Sequence, residues 1–146
     1  MPKRSAGILV FRRTNAVLEV FLVHPGGPFW IRKDKGAWTI PKGACEPGEE
    51  PFSTAQRKFN EETGFTIEGD FIELGQIRQQ GGKLVVAWAI ERDLDPSKLK
   101  SNMFSLDDRE FPEVDRGDWF SLDRAREAIN QGQVPLLERL VAKLKK

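Results

Sequence analysis

Residues Gly43 to Phe65 read G-A-C-E-P-G-E-E-P-F-S-T-A-Q-R-K-F-N-E-E-T-G-F, and this stretch decides the fold. A glycine-bearing loop rich in carboxylates runs into a short helix. Pro51 suits the first helical turn, where its missing N–H costs nothing. Gly64 sits where a left-handed C-cap is wanted. Phe52, Ala55 and Phe59 recur at helical spacing as one apolar stripe. Lys58, Glu61 and Glu62 stand at i, i+3 and i+4 and share a neighbouring face. Two adjacent carboxylates facing a polar loop suit a hard divalent cation, which takes oxygen ligands. A glutamate pair on a helix is also commonly no more than a solvated acidic face. The whole string separates these two readings.

The string resembles the signature of the Nudix family. That signature runs Gly, five residues, Glu, seven residues, Arg-Glu, an apolar residue, any residue, Glu-Glu, any residue, Gly, then apolar. Gly43, Glu49, Arg57, Phe59, Glu61, Glu62, Gly64 and Phe65 fall on it without a gap. One position departs, since Lys58 stands where the pattern has Glu. W-T-I-P-K-G leads into the stretch, and strand-like runs flank it.

The remaining composition narrows the class. The chain has 146 residues, enough for one domain with a real core. Lys and Arg total 23 against 22 for Asp and Glu, so no global basic field argues for duplex nucleic acid. One cysteine, Cys45, excludes an internal disulfide and fits a reducing compartment. No apolar run reaches membrane-spanning length, and the N-terminal apolar run is short and strand-like, not a signal peptide. The expectation is a cytoplasmic protein.

Apolar patterning outlines the other elements. Strands are expected at 5–12, 18–24, 37–40, 70–79 and 83–91, with Gln80-Gly81-Gly82 as a hairpin turn. Residues 93–115 read as a polar loop, Trp119-Phe120 as a short edge strand, and 122–131 and 134–145 as helices. Strands on both sides of one helix, with helices at the end, suggest a mixed sheet between helices. The resemblance implies the same class: α/β, an α/β/α sandwich with a mixed β-sheet and the signature as loop–helix–loop, over a single domain spanning the chain.

The resemblance also implies an activity. Nudix enzymes hydrolyse the pyrophosphate link of a nucleoside diphosphate joined to another group, with Mg2+ or Mn2+. A pyrophosphate is anionic and poorly electrophilic, so its charge must be screened before a nucleophile approaches. Metal ions do this and activate water. Carboxylates on a rigid helix hold the ion better than those on a loop. By resemblance, Glu61 and Glu62 are metal ligands, joined by a backbone carbonyl at Lys42 or Gly43. Glu49 and Arg57 tie loop to helix, with Arg57 orienting carboxylates. A further carboxylate comes from late in the chain, where Glu113 is the first choice and Glu110 the second, as metal ligand or base. Lys42 is the best phosphate contact, with Arg32, Lys33, Lys35 and Arg78 behind it. Phe29 and Trp30 either stack a base or join the core. His24, the only histidine, is expected to pack at a strand end.

Lys58 replaces a residue that in this family binds metal or acts as base. At about 4 Å and an effective dielectric of about 20, two unit charges interact by about 4 kcal/mol, and a divalent ion doubles that. Lysine is long enough to swing aside, which softens the penalty. It also competes with a metal for Glu61 or Glu62. Three readings stand: an enzyme drawing its base from elsewhere, an altered active site, or a catalytically silent nucleotide-binding or regulatory module. The expected function is a metal-dependent pyrophosphohydrolase weakened by Lys58, acting on nucleoside triphosphates or dinucleoside polyphosphates. The expected partner is a small nucleotide, not a membrane or a nucleic acid.

Overall fold

Successive side chains of a strand face opposite ways, so a strand apolar at every position belongs to a sheet covered on both faces. Strand β1, Arg4–Thr14, has such a run from Ala6 to Phe11. Ile8, Leu9, Val10 and Phe11 are all buried, Leu9 and Phe11 in one core and Ile8 and Val10 in another. The structure is a computed structural model that describes residues 4–145.

After β1 come β2 (Val17–Pro25), β3 (Lys42–Ala44), helix α1 (Pro51–Thr63), β4 (Ile72–Arg78) and β5 (Leu84–Glu91). Then follow β6 (Met103–Leu106), β7 (Arg109–Pro112), β8 (Val114–Ser121), α2 (Leu122–Ala128) and α3 (Val134–Leu144). The main sheet runs β4-β5-β1-β2-β8, with β3 also paired to β1. The β1–β5 pair is parallel and the others antiparallel, so the sheet is mixed. Helix α1 covers one face through Ala55 and Phe59. Helices α2 and α3 cover the other through Ala125, Leu136, Leu137 and Leu140. The α/β/α sandwich expected from the sequence is therefore the fold.

Helix α1 forms for the local reasons already given. Pro51 stands in its first turn, and Gly64 ends it at φ 80°, its N–H bonded to the Asn60 carbonyl at 2.8 Å. Phe59 is fully buried, which stabilises by roughly 1.5–3 kcal/mol. Phe52 completes the stripe against Phe71 and Trp88.

Four segments differ from expectation. Residues 37–40 make isolated bridges, Thr39 to Val23 and Trp38 to Ile129, in place of a strand. The latter bridge draws the chain off its helical path, so α2 ends at Ala128 rather than Gln131. Residues 93–115 contain the β6–β7 hairpin, turned at Asp107-Asp108, both at positive φ. The edge strand around Trp119-Phe120 is eight residues long, Val114–Ser121. No helix among the described residues is long and apolar enough to cross a membrane.

Candidate active site

Helix α1 presents its polar face to β3 and to the start of β8. Arg57 makes a two-pronged contact with Glu49, Nε to Oε2 and Nη2 to Oε1, both 2.9 Å. This planar fork fixes the loop against the helix. Arg57 holds the Glu49 carboxyl down to about 2, and the Glu46 N–H adds to the effect. Arg57 Nη1 also donates to Glu61 Oε2 at 3.0 Å. The expected pairing of Glu49 with Arg57, and the orienting of a carboxylate by Arg57, are both present.

Lys58 Nζ donates to Glu61 Oε1 at 3.2 Å and lies 3.8 Å from Glu113 Oε2. Its stem runs against β3, and a Cβ on Gly43 would collide with its Cδ and Cε. Gly43 therefore admits the lysine. Partial burial works against ionisation of Glu61, but the bonds from Arg57 and Lys58 outweigh it and hold its pKa below the ordinary value.

Glu62 is only 7% exposed and accepts the Lys42 backbone N–H at 3.1 Å. Burial pushes its carboxyl up to about 8; the charge of Glu113 adds to this, and those of Lys58 and Lys42 oppose it. Glu61 and Glu113 thus approach one ammonium group, and Glu62 stands near enough to feel the charges of both Lys58 and Glu113, while among the described residues no three acidic groups are set together as a ready-made metal site. Glu110 is exposed on β7, paired with Ser105.

The phosphate-binding candidates divide. Lys42 and Trp30 line one cavity of about 210 Å³ together with Gln79, Lys83, Asn130 and Gln133. Burial and the like charge of Lys83 lower the Lys42 pKa. Arg78 is exposed and does not line this cavity. Lys33 caps the exposed Phe29 ring at 3.8 Å, so Phe29 is not core. His24 is buried as expected, bonded to Asp115 and to the Lys33 carbonyl. Sequence reasoning missed Lys83, Gln79, Asn130 and Gln133, whose separations along the chain carry no signal. A larger cavity of about 650 Å³, walled by Arg12, Glu19, Asp93 and Trp119, shares no residue with α1.

Comparison with known proteins gives the family and the fold. Residues 1–140 match the family described as NUDIX domain. A mouse protein named bis(5'-nucleosyl)-tetraphosphatase [asymmetrical] is 33% identical over 103 residues, covering 62% of this chain and 66% of that protein, just under two thirds of its length. Nudix hydrolase 7 of Arabidopsis thaliana is 36% identical over 75 residues, covering 51% of this chain and 24% of that protein. Among solved structures, a C. elegans Ap4A hydrolase binary complex superposes with a TM-score of 0.69 at 22% identity, covering 97% of this chain and 98% of that one. The NUDIX domain of Shewanella oneidensis NrtR, complexed with ADP ribose, gives 0.72 at 18% identity, covering 99% and 89%. These two superpositions speak to the fold alone.

Proposed function

The chain belongs to the NUDIX family, and from that premise we propose that it is a metal-dependent pyrophosphohydrolase cleaving nucleoside diphosphates linked to a further group, foremost dinucleoside polyphosphates. The observation that carries this is the approach of Glu61 and Glu113 to one ammonium group, with Glu62 next to Glu61 on the helix and Arg57 tying Glu61 to Glu49. The name of the mouse relative favours dinucleoside polyphosphates over nucleotide sugars.

The donor set suits the implied metal. Two carboxylates, Glu61 and Glu113, already take a cation between them, with Glu62 beside Glu61 on the helix, and hard oxygen donors are the choice of magnesium and manganese. Glu61, Glu62 and Glu113 would hold the ion, with a backbone carbonyl of Lys42 or Gly43. When bound, it supplies charge neutralisation on the pyrophosphate and activation of water. The chain's own residues do the rest. Arg57 holds Glu61 in place through a contact that Glu49 anchors. Glu113, outside the helix, takes the proton of the attacking water. Lys42 meets the anionic substrate. Lys58 slows the reaction, because its ammonium occupies Glu61 and stands near Glu113.

That same ammonium favours a second reading, a nucleotide-binding module without hydrolysis. One panel separates the two. The purified chain is incubated with Mg2+, then Mn2+, and with nucleoside triphosphates, diadenosine polyphosphates, ADP-ribose and nucleotide sugars. Products are read by chromatography. Metal-dependent product from the diadenosine polyphosphates is expected. Nucleotide binding without metal and without product from any class would establish the silent module instead.

A further inference from the structure

His24, at the end of β2, is the only histidine of the chain and is 1% exposed. Its Nδ1 stands 2.9 Å from Asp115 Oδ1 on β8, and its Nε2 stands 2.5 Å from the Lys33 carbonyl oxygen. Both partners only accept. A carbonyl has no proton to give, and Asp115 is open to solvent, where a carboxylate is ionised at neutral pH. A neutral imidazole donates from one nitrogen and turns a lone pair outward on the other. Either neutral tautomer therefore sets a lone pair against an oxygen, while the imidazolium satisfies both contacts. The charged groups that meet this pair are Asp115 and Arg116 of β8 and Lys33 and Asp34 of the loop after β2. Arg116 lies 3.9 Å from Asp115 and 3.7 Å from Asp34, and Lys33 sets its Nζ over the Phe29 ring at 3.8 Å. Trp38 stands edge-on to His24, with ring centroids 5.3 Å apart, and donates to Asp34 at 2.7 Å.

The loop after β2 needs such a hold. Residues 31–35 are all exposed, and so is Phe29, so little apolar burial fixes them. The ends of the loop are tied by backbone bonds, Gly26 to Glu113 on one side and Thr39 to Val23 on the other. Between Gly26 and Gly36, the bond from His24 is the buried tie to the main sheet. This same loop supplies Trp30, Ala37 and Thr39 to the wall of the cavity beside Lys42.

We propose that His24 is held as an imidazolium and, through the Lys33 carbonyl, positions the loop that walls the cavity beside Lys42. His24 does not line that cavity, so it acts through the loop and is a positioning residue. The proton shared with the Asp115 carboxylate is held harder than the one shared with a neutral carbonyl. Deprotonation therefore empties Nε2 first, turns a lone pair on the Lys33 oxygen and loosens the loop. The consequence for substrate rests on the hydrolase reading; the state of the ring and its hold on the loop do not.

Nitrogen NMR on the chain labelled at its single histidine tests the ring without substrate. In the parent at about pH 7.5, both ring nitrogens should read as protonated. Asp115→Asn lets an amide donate to Nδ1, so at the same pH its ring should be neutral with the proton on Nε2. Hydrogen exchange then reads the loop. In His24→Phe the amides of Trp30 and Lys33 should exchange at least about tenfold faster than in the parent, and in Asp115→Asn, which keeps the Lys33 contact, within about threefold of it. With Mg2+, the KM for diadenosine tetraphosphate should rise at least about fivefold in His24→Phe, with kcat within about threefold of the parent. Melting curves check that each variant folds. An unprotonated ring nitrogen in the parent at that pH, or parent-like exchange in a folded His24→Phe, overturns the proposal. A loosened loop with an unchanged KM overturns the positioning role. Absence of product from the parent counts against the hydrolase reading, and the ring signals and exchange rates then decide the hold of His24 on the loop.

Discussion

At 7% exposure, Glu62 has given up water for one backbone N–H, with the charge of Lys58 beside it and that of Glu113 against it. Its folded pKa, about 8, lies above the ordinary 4.5, so the folded state binds the proton more tightly than the unfolded chain does. Stability from this group is full below about pH 4.5 and is lost as pH rises toward 8. Glu62→Gln keeps an acceptor for the Lys42 N–H and removes the charge. Without divalent metal, that variant should be more stable than the parent at pH 8, by on the order of a few kcal/mol, with the gap closing toward pH 4.5. Urea unfolding at several pH values measures it, and a gap that does not change with pH would contradict this account of Glu62.

The junction of α1 and β3 is where one element shapes another. Gly43 is not at positive φ, so its backbone tolerates alanine, but the three atoms nearest to an added Cβ all belong to Lys58. Gly43→Ala should therefore destabilise the parent and cost much less in a Lys58→Ala background. A double-mutant cycle should return a coupling of about 0.5–3 kcal/mol, and additive effects would show that the two do not touch. Helix α1 itself was legible in the sequence, because Pro51, Gly64 and the apolar stripe are local signals. The β6–β7 hairpin was not. Asp107-Asp108 turns without glycine, and three of the four β6 residues and both Arg109 and Glu110 are exposed, which leaves no apolar alternation to read. Ala37–Ile40 misled in the opposite way, because its apolar residues are buried without pairing as a strand.

On the scale of the whole molecule, β1 organises the rest by pairing with β5, β3 and β2 at once. That arrangement carries α1 on one face and brings the end of β4 and the segment before α3 to the cavity beside Lys42. The catalytic candidates on α1 were readable because they sit in one short string. Of the two late carboxylates, Glu113 lies 3.8 Å from Lys58 Nζ and Glu110 is exposed on β7. Gln79, Lys83, Asn130 and Gln133 could not be found that way, since only the sheet order brings them together. The same holds for Asp115 and the Lys33 carbonyl on either side of His24. The function proposed above is that of a pyrophosphohydrolase whose own lysine competes for its carboxylates. The most direct test compares diadenosine tetraphosphate hydrolysis by the parent and by Lys58→Glu, with Mg2+ and with EDTA. The account predicts metal-dependent product from the parent and at least tenfold faster turnover in Lys58→Glu, about 1.4 kcal/mol of barrier. Unchanged or slower turnover in Lys58→Glu, or no product from either chain, would contradict it.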